Sequence, residues 1–219
     1  MVVSTNTLAN TDVMVGQENT PKHQRVFLIG GFDPPTKSDA CRIMYAMNLI
    51  AKEACYAGAT LEIVVLNSPL HNYFFGVDLR QSFVEELCRL YNHKGVTIRF
   101  HLCDDLHPVH TKIVHELGGG VLISPVRDSR EDSAVAFWKW ITPWFSWGVT
   151  IQSVVSYRSR WLIRAKQVRN AMHVGDWKLV EKMIPIGLFP YVKTAFSQEK
   201  ESRLNFMLQC GNHENDVFF

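Results

Sequence analysis

The stretch Arg25-Val-Phe-Leu-Ile-Gly-Gly-Phe-Asp-Pro-Pro-Thr-Lys-Ser-Asp39 runs a short apolar segment into a glycine pair and then opens a helix. Val26 to Ile29 is the uninterrupted run expected of a strand buried on both faces. Paired glycines let backbone come close to a ligand, and the helix N-terminus behind them offers unpaired N–H groups and the positive end of a dipole. The layout reads as a phosphate cradle, with Gly30 and Gly31 at its turn and Ser38 as the helix N-cap.

Outward from that turn, Ala40, Ile43, Met44, Met47, Ile50, Ala51 and Ala54 recur at spacings of three and four and predict a helix from Ser38 to about Tyr56. Leu61 to Leu66 reads as a second strand, followed by the turn-like Asn67-Ser-Pro69 and a helix from Asp78 to Tyr91. Val96 to Leu102 is a third strand, His110 to Leu117 a helix closed by Gly118-Gly-Gly120, and Val121 to Ser124 a fourth strand. Helices are expected at 132–140, 163–172 and 177–183, with a fifth strand from Val149 to Ser156. Strand and helix in alternation imply an α/β domain of three layers around a mostly parallel, five-stranded sheet, with ligands at the carboxyl ends of strands.

A chain of 219 residues with 47% hydrophobic content can bury a core and fits one domain. Residues 1–22, rich in Thr, Asn and Gln, read as a flexible arm, 23–196 as the domain and 197–219 as a C-terminal helix and tail. A net charge of +2 is too small to argue for nucleic acid or an anionic membrane. Five scattered cysteines suit reduced thiols and a cytoplasmic protein, since no signal peptide pattern is present and no run approaches the roughly 18 apolar residues of a membrane span. The aromatic stretch Phe137 to Trp147 and the terminal Asp216-Val-Phe-Phe219 are read as core or as a surface for a protein partner, and the oligomeric state stays open.

Gly30-Gly-Phe-Asp-Pro-Pro-Thr-Lys-Ser-Asp39 resembles the first signature of the nucleotidylyltransferase superfamily, G-x-F-D-P-x-[HT]-x-G-H. This superfamily includes nicotinamide and nicotinate mononucleotide adenylyltransferases and phosphopantetheine adenylyltransferase. Gly30, Phe32, Asp33, Pro34 and Thr36 match, whereas Ser38 replaces the glycine and Asp39 the final histidine. Ile163-Arg-Ala-Lys-Gln-Val-Arg169 resembles the second signature, I-S-S-T-x-x-R, at its two ends only, and Arg80 falls where these enzymes often carry an arginine. The resemblance covers about residues 24–193 and implies a Rossmann-like nucleotidylyltransferase fold. It implies adenylyl transfer from ATP with Mg²⁺ to a small phosphorylated acceptor, either a mononucleotide or a pantetheine-type molecule. On that basis Thr36, Lys37, Asp39 and Arg169 take the catalytic places, and Gly30, Gly31, Phe32, Asp33, Ser38, Lys166 and Asp128 the nucleotide-binding ones.

Catalysis in that scheme is positioning plus charge stabilisation, and the last histidine of the first signature donates hydrogen bonds to phosphate. A carboxylate cannot. Two like unit charges about 4 Å apart cost about 1 kcal/mol in water and about 4 kcal/mol at an effective dielectric of 20, so Asp39 opposes triphosphate. Two functions therefore stand side by side: a slow adenylyltransferase, or an inactive relative that binds a ligand or a protein. In the family fold both signatures face one site, which places Lys166 as the ion-pair partner of Asp39. Asp39 also suits a helix N-terminus, where acidic groups gain about 0.3–1 kcal/mol, and a third reading has it hold magnesium with help from Lys37.

His101-Leu-Cys-Asp-Asp-Leu-His-Pro-Val-His110 carries enough ligands to suggest zinc, but its spacing fits no zinc pattern and reads as a polar loop at a strand end. Arg127, Asp128, Arg130, Glu131 and Asp132 form a charged loop after the fourth strand, which the resemblance sets at the family's base- or ribose-binding element and which reads equally as a solvated loop. Arg158, Arg160, Arg164, Lys166 and Arg169 gather positive charge ahead of a helix, with Trp161 among them as a core residue or a stacking platform.

Overall fold

The computed structural model describes residues 25–68, 72–92, 95–104, 117–126, 149–155 and 163–213. The arm at 1–22, the helices expected at 110–117 and 132–140, the aromatic stretch 137–147, the charged loop at 127–132, Arg158, Arg160 and Trp161, and the terminal Asp216 to Phe219 lie outside them, apart from Leu117. Five strands are present: β1 (Arg25–Gly30), β2 (Thr60–Leu66), β3 (Ile98–Cys103), β4 (Gly120–Val126) and β5 (Val149–Val155). The helices are α1 (Lys37–Lys52), α2 (Val77–Tyr91), α3 (Ala165–His173), α4 (Trp177–Met183) and α5 (Phe189–His213).

The strands form one sheet in the order β3-β2-β1-β4-β5, and every neighbouring pair is parallel. Arg25 to Gly30 pair with Thr60 to Val65, Leu61 to Leu66 with Ile98 to Cys103, and Val26 with Val121. From β1 the chain builds outward to β3 and then returns to the other side of β1 with β4. The order thus reverses between β1 and β4, and a crevice forms at their carboxyl ends, which is where open α/β sheets bind ligands. The Gly30-Gly31 turn leaves β1 at that end.

Uninterrupted apolar strands are buried on both faces. Val26, Leu28, Leu61, Ile63, Val65, Val121 and Ile123 pack with Ile43, Met47 and Ile50 of α1 and Val84 and Leu87 of α2. Phe27, Val64 and Leu122, alternate residues of the same strands, are buried too. A second core joins Phe74, Phe75 and Phe83 to α3, α4, the 3₁₀ turn Ile186–Leu188 and the first half of α5 through Val168, Met172, Val180, Leu188, Val192 and Phe196. Phe74 stacks on Phe196 with ring centroids 5.0 Å apart.

Several sequence expectations need correction. Thr36, not Ser38, caps α1, in a capping box with Asp39. The helix ends at Lys52, and a separate 3₁₀ turn covers Ala54–Tyr56. Met44, expected in the buried stripe, is exposed, while Arg42 and Ala46 are buried. α5 runs unbroken through residue 196, the expected end of the domain, because Val192, Ala195 and Phe196 carry its packing across that point.

Candidate functional site

The glycine turn is already filled by the protein's own side chains. A Cβ on Gly30 would stand 3.0 Å from Phe32 Cζ, and one on Gly31 only 2.8 Å from Tyr73 Cε1. The glycines therefore make room for two aromatic rings, rather than for a ligand as the sequence suggested. Phe32 pays for its position with a left-handed backbone (φ 49°), an uncommon conformation for a bulky residue. Tyr73 lies against the buried Arg80, whose guanidinium carbon is 3.8 Å from its ring centroid.

Asp33, next in the turn, is buried and fully engaged. Its carboxylate accepts from Phe74 N at 2.7 Å, Phe75 N at 2.9 Å and Arg169 Nη1 at 3.0 Å. Arg169 Nη1 also donates to the Asp33 carbonyl at 2.7 Å. The ends of the two signatures thus meet, as the resemblance implies for residues facing one site, but in a structural ion pair. Arg80 binds the same loop from below: Nε donates to Phe75 O, Nη1 to Gly31 O and Leu66 O, and Nη2 to Asn67 Oδ1. Burial pulls the Arg80 pKa down, against the pull of Tyr73 and Asp33. Burial likewise raises the Tyr73 phenol, aided by Asp33 and opposed by Arg80 and Arg169.

At the start of α1, Asp39 Oδ2 accepts from Thr36 N and Thr36 Oγ1, both at 2.9 Å, and Oδ1 accepts from Arg42 Nη2 at 2.6 Å. Arg42 Nη1 donates to Ile29 O at 3.2 Å. The partner expected for Asp39, Lys166, is exposed on α3 and makes no ion pair with it. Arg42 takes that place because it lies one helical turn away on the same face, close enough to be buried with the carboxylate. Ser38, standing where the signature has glycine, accepts from Ile163 N at 3.3 Å and so ties α1 to the segment before α3. Thr36 Oγ1 also lies 3.4 Å from Ile163 O. Lys37 is half-buried on the first turn, and Asp128 lies outside the described residues.

Between these groups lies a cavity of about 300 Å³, lined by Gly31, Asp33, Asp39, Arg42, Tyr73 and Arg169, among others. Its two carboxylates and two guanidiniums are joined pairwise, so their charges cancel. A larger groove of about 590 Å³ between α2 and α5, floored by Leu79, Phe83 and Ala195, contains none of the signature residues. Tyr73 and Arg42 were missed in the sequence. The i, i+3 spacing of Asp39 and Arg42 was a usable signal, whereas nothing local announced that Tyr73 would cover Gly31.

The zinc reading of the His101 stretch finds no support in the part described. His101 Nε2 shares a 2.7 Å hydrogen bond with the buried Glu62. Among the described residues no three potential ligands gather as a metal site. No described helix is long and apolar enough to cross a membrane. No family model matches the chain, and no curated protein matches it either.

Proposed function

We propose that this chain is a nucleotidylyltransferase-like protein of the three-layer, Rossmann-like kind that has given up adenylyl transfer and serves as a binding module for a ligand or a protein. The observation that carries this reading is the anchoring of Asp39 to Thr36 and Arg42. A carboxylate at the start of α1 takes for itself the donors and the positive charge that the cradle would offer to phosphate. ATP and Mg²⁺ fit these residues poorly. Asp39 would repel each nearby phosphate charge by about 4 kcal/mol at an effective dielectric of 20, and Arg42 and Arg169 would have to leave their carboxylates to compensate. Asp39 is equally poor as a magnesium ligand, since both its oxygens already accept hydrogen bonds.

A reduced, cytoplasmic setting agrees with Cys41, Cys55, Cys88 and Cys103, all free thiols. The measurement that tests the function is thermal shift with millimolar ATP and Mg²⁺, paired with a pyrophosphate-release assay offering nicotinamide mononucleotide and phosphopantetheine as acceptors. Neither a shift nor release is expected. Pyrophosphate release that disappears on Arg169→Ala would establish the adenylyltransferase instead.

A further inference from the structure

Three charged groups grip the dipeptide Phe74-Phe75. Asp33 takes both of its N–H groups, and Arg80 takes the Phe75 carbonyl. The third is Arg203, from the middle of α5, whose Nη2 donates to Phe74 O at 2.6 Å while its guanidinium stacks 4.7 Å from the centre of the Phe74 ring. Asp33 and Arg80 are sealed in the interior, at 1% and 0% exposure. The Arg203 side chain is 51% exposed, and its Nε is shared with Glu199 at 3.0 Å. The next residue before this dipeptide is Tyr73, whose ring covers Gly31.

We propose that Arg203 is a latch through which the C-terminal helix steadies the segment before Phe75 and so fixes Tyr73, which lines the cavity, over the glycine turn. It is the one of the three grips that solvent can reach, so it can be released without opening either core. Loss of its hydrogen bond, or capture of its guanidinium by a competing anion, frees the Phe74 carbonyl and loosens Tyr73 over Gly31, while Asp33 and Arg80 keep the Phe75 backbone in the second core. Arg203 is thus a positioning residue for a site it does not touch, and the inference rests on reading the chain as a binding module whose ligand enters the cavity lined by Tyr73.

The test needs no ligand, so its outcome is separate from that of the nucleotide assays. Amide exchange followed by NMR is compared in the wild type and in Arg203→Ala, Arg203→Gln, Arg203→Lys and Glu199→Ala, and the Tyr73 phenol is titrated in each against a Tyr73→Phe reference. Arg203→Ala and Arg203→Gln should speed exchange at Phe74 and Phe75 by about tenfold or more, the loss of one charged hydrogen bond, while β1 and β2 amides keep their rates. The raised Tyr73 pKa should fall towards that of a solvated tyrosine in the same variants. Arg203→Lys should recover part of both effects, and Glu199→Ala, which spares the carbonyl grip, should show neither. Unchanged exchange at Phe74 and Phe75, or faster exchange spread evenly over the sheet, overturns the latch.

Discussion

Asp39 and Arg42 meet at 2.6 Å on the first turns of α1, with 14% and 8% of their side chains exposed. Breaking a buried ion pair by removing one partner typically costs about 3–5 kcal/mol, because the other charge stays behind. Asp39→Ala also removes the capping box, so a loss of about 3 kcal/mol or more is expected in urea unfolding. Asp39→Asn should lose less, since its amide oxygen can still accept from Thr36. Asp39→Ala combined with Arg42→Met should recover part of the loss. A double variant no more stable than Asp39→Ala would show that Arg42 is not held by this pair.

Restoring the signature at one position tells a second story. Lys166 is exposed and bonded to neither Asp39 nor Asp33. Lys166→Thr should therefore change stability by no more than about 0.5 kcal/mol, as for ordinary surface substitutions. Added to Asp39→His, it should leave the thermal-shift response to ATP and Mg²⁺ where Asp39→His alone puts it. A response that requires both changes would place Lys166 in the site after all.

The parallel sheet was legible because Val26 to Ile29, Leu61 to Leu66 and Val121 to Ser124 are apolar runs too short for helices and separated by helical periods. Asp39 stood out for a different reason, as the carboxylate standing where the resembled signature has its final histidine. Its partner is the i, i+3 neighbour on its own helix, Arg42, which the resemblance between two distant motifs does not specify. The capping box is legible in Thr36-Lys-Ser-Asp39, where an acceptor stands three residues before an acid, and it makes Thr36 rather than Ser38 the cap. Tyr73, Phe74 and Phe75 are different in kind. Their roles depend on Arg80, Asp33 and Arg203, between 5 and 129 residues away, and such contacts leave no periodic trace.

Arg80 is fully buried and spends its donors on four acceptors of the Gly31, Leu66, Asn67 and Phe75 region. Lysine keeps the charge but not the planar fork, and cannot span those directions. Arg80→Lys should cost about 3 kcal/mol or more and should loosen the second core, read as lower near-ultraviolet circular dichroism from the Phe74, Phe75 and Phe83 cluster. A cost below about 1 kcal/mol would mean that water or backbone movement replaces the lost bonds.

Alkaline stability should report on Cys88. Burial against α1 and the sheet, with a smaller push from Glu85, raises this thiol from an ordinary value of 9.0 to about 12. The unfolded chain loses the proton near pH 9, whereas the folded chain keeps it until about pH 12. Between those values the unfolded state binds fewer protons, so the stabilisation is whole below pH 9 and drains away as pH rises, by an amount of the order of 4 kcal/mol at the upper end. Tyr73, raised in the same direction, adds to the decline above its own ordinary value near 10. Cys88→Ala should be less stable than wild type at pH 7 by about 1 kcal/mol for the lost packing, with the gap closing as pH climbs and reversing by pH 10.5, where the wild type has lost about 2 kcal/mol. Urea unfolding at pH 7, 9 and 10.5 measures both lines, and parallel lines would show that the Cys88 thiol ionises as readily in the folded protein as in the unfolded chain.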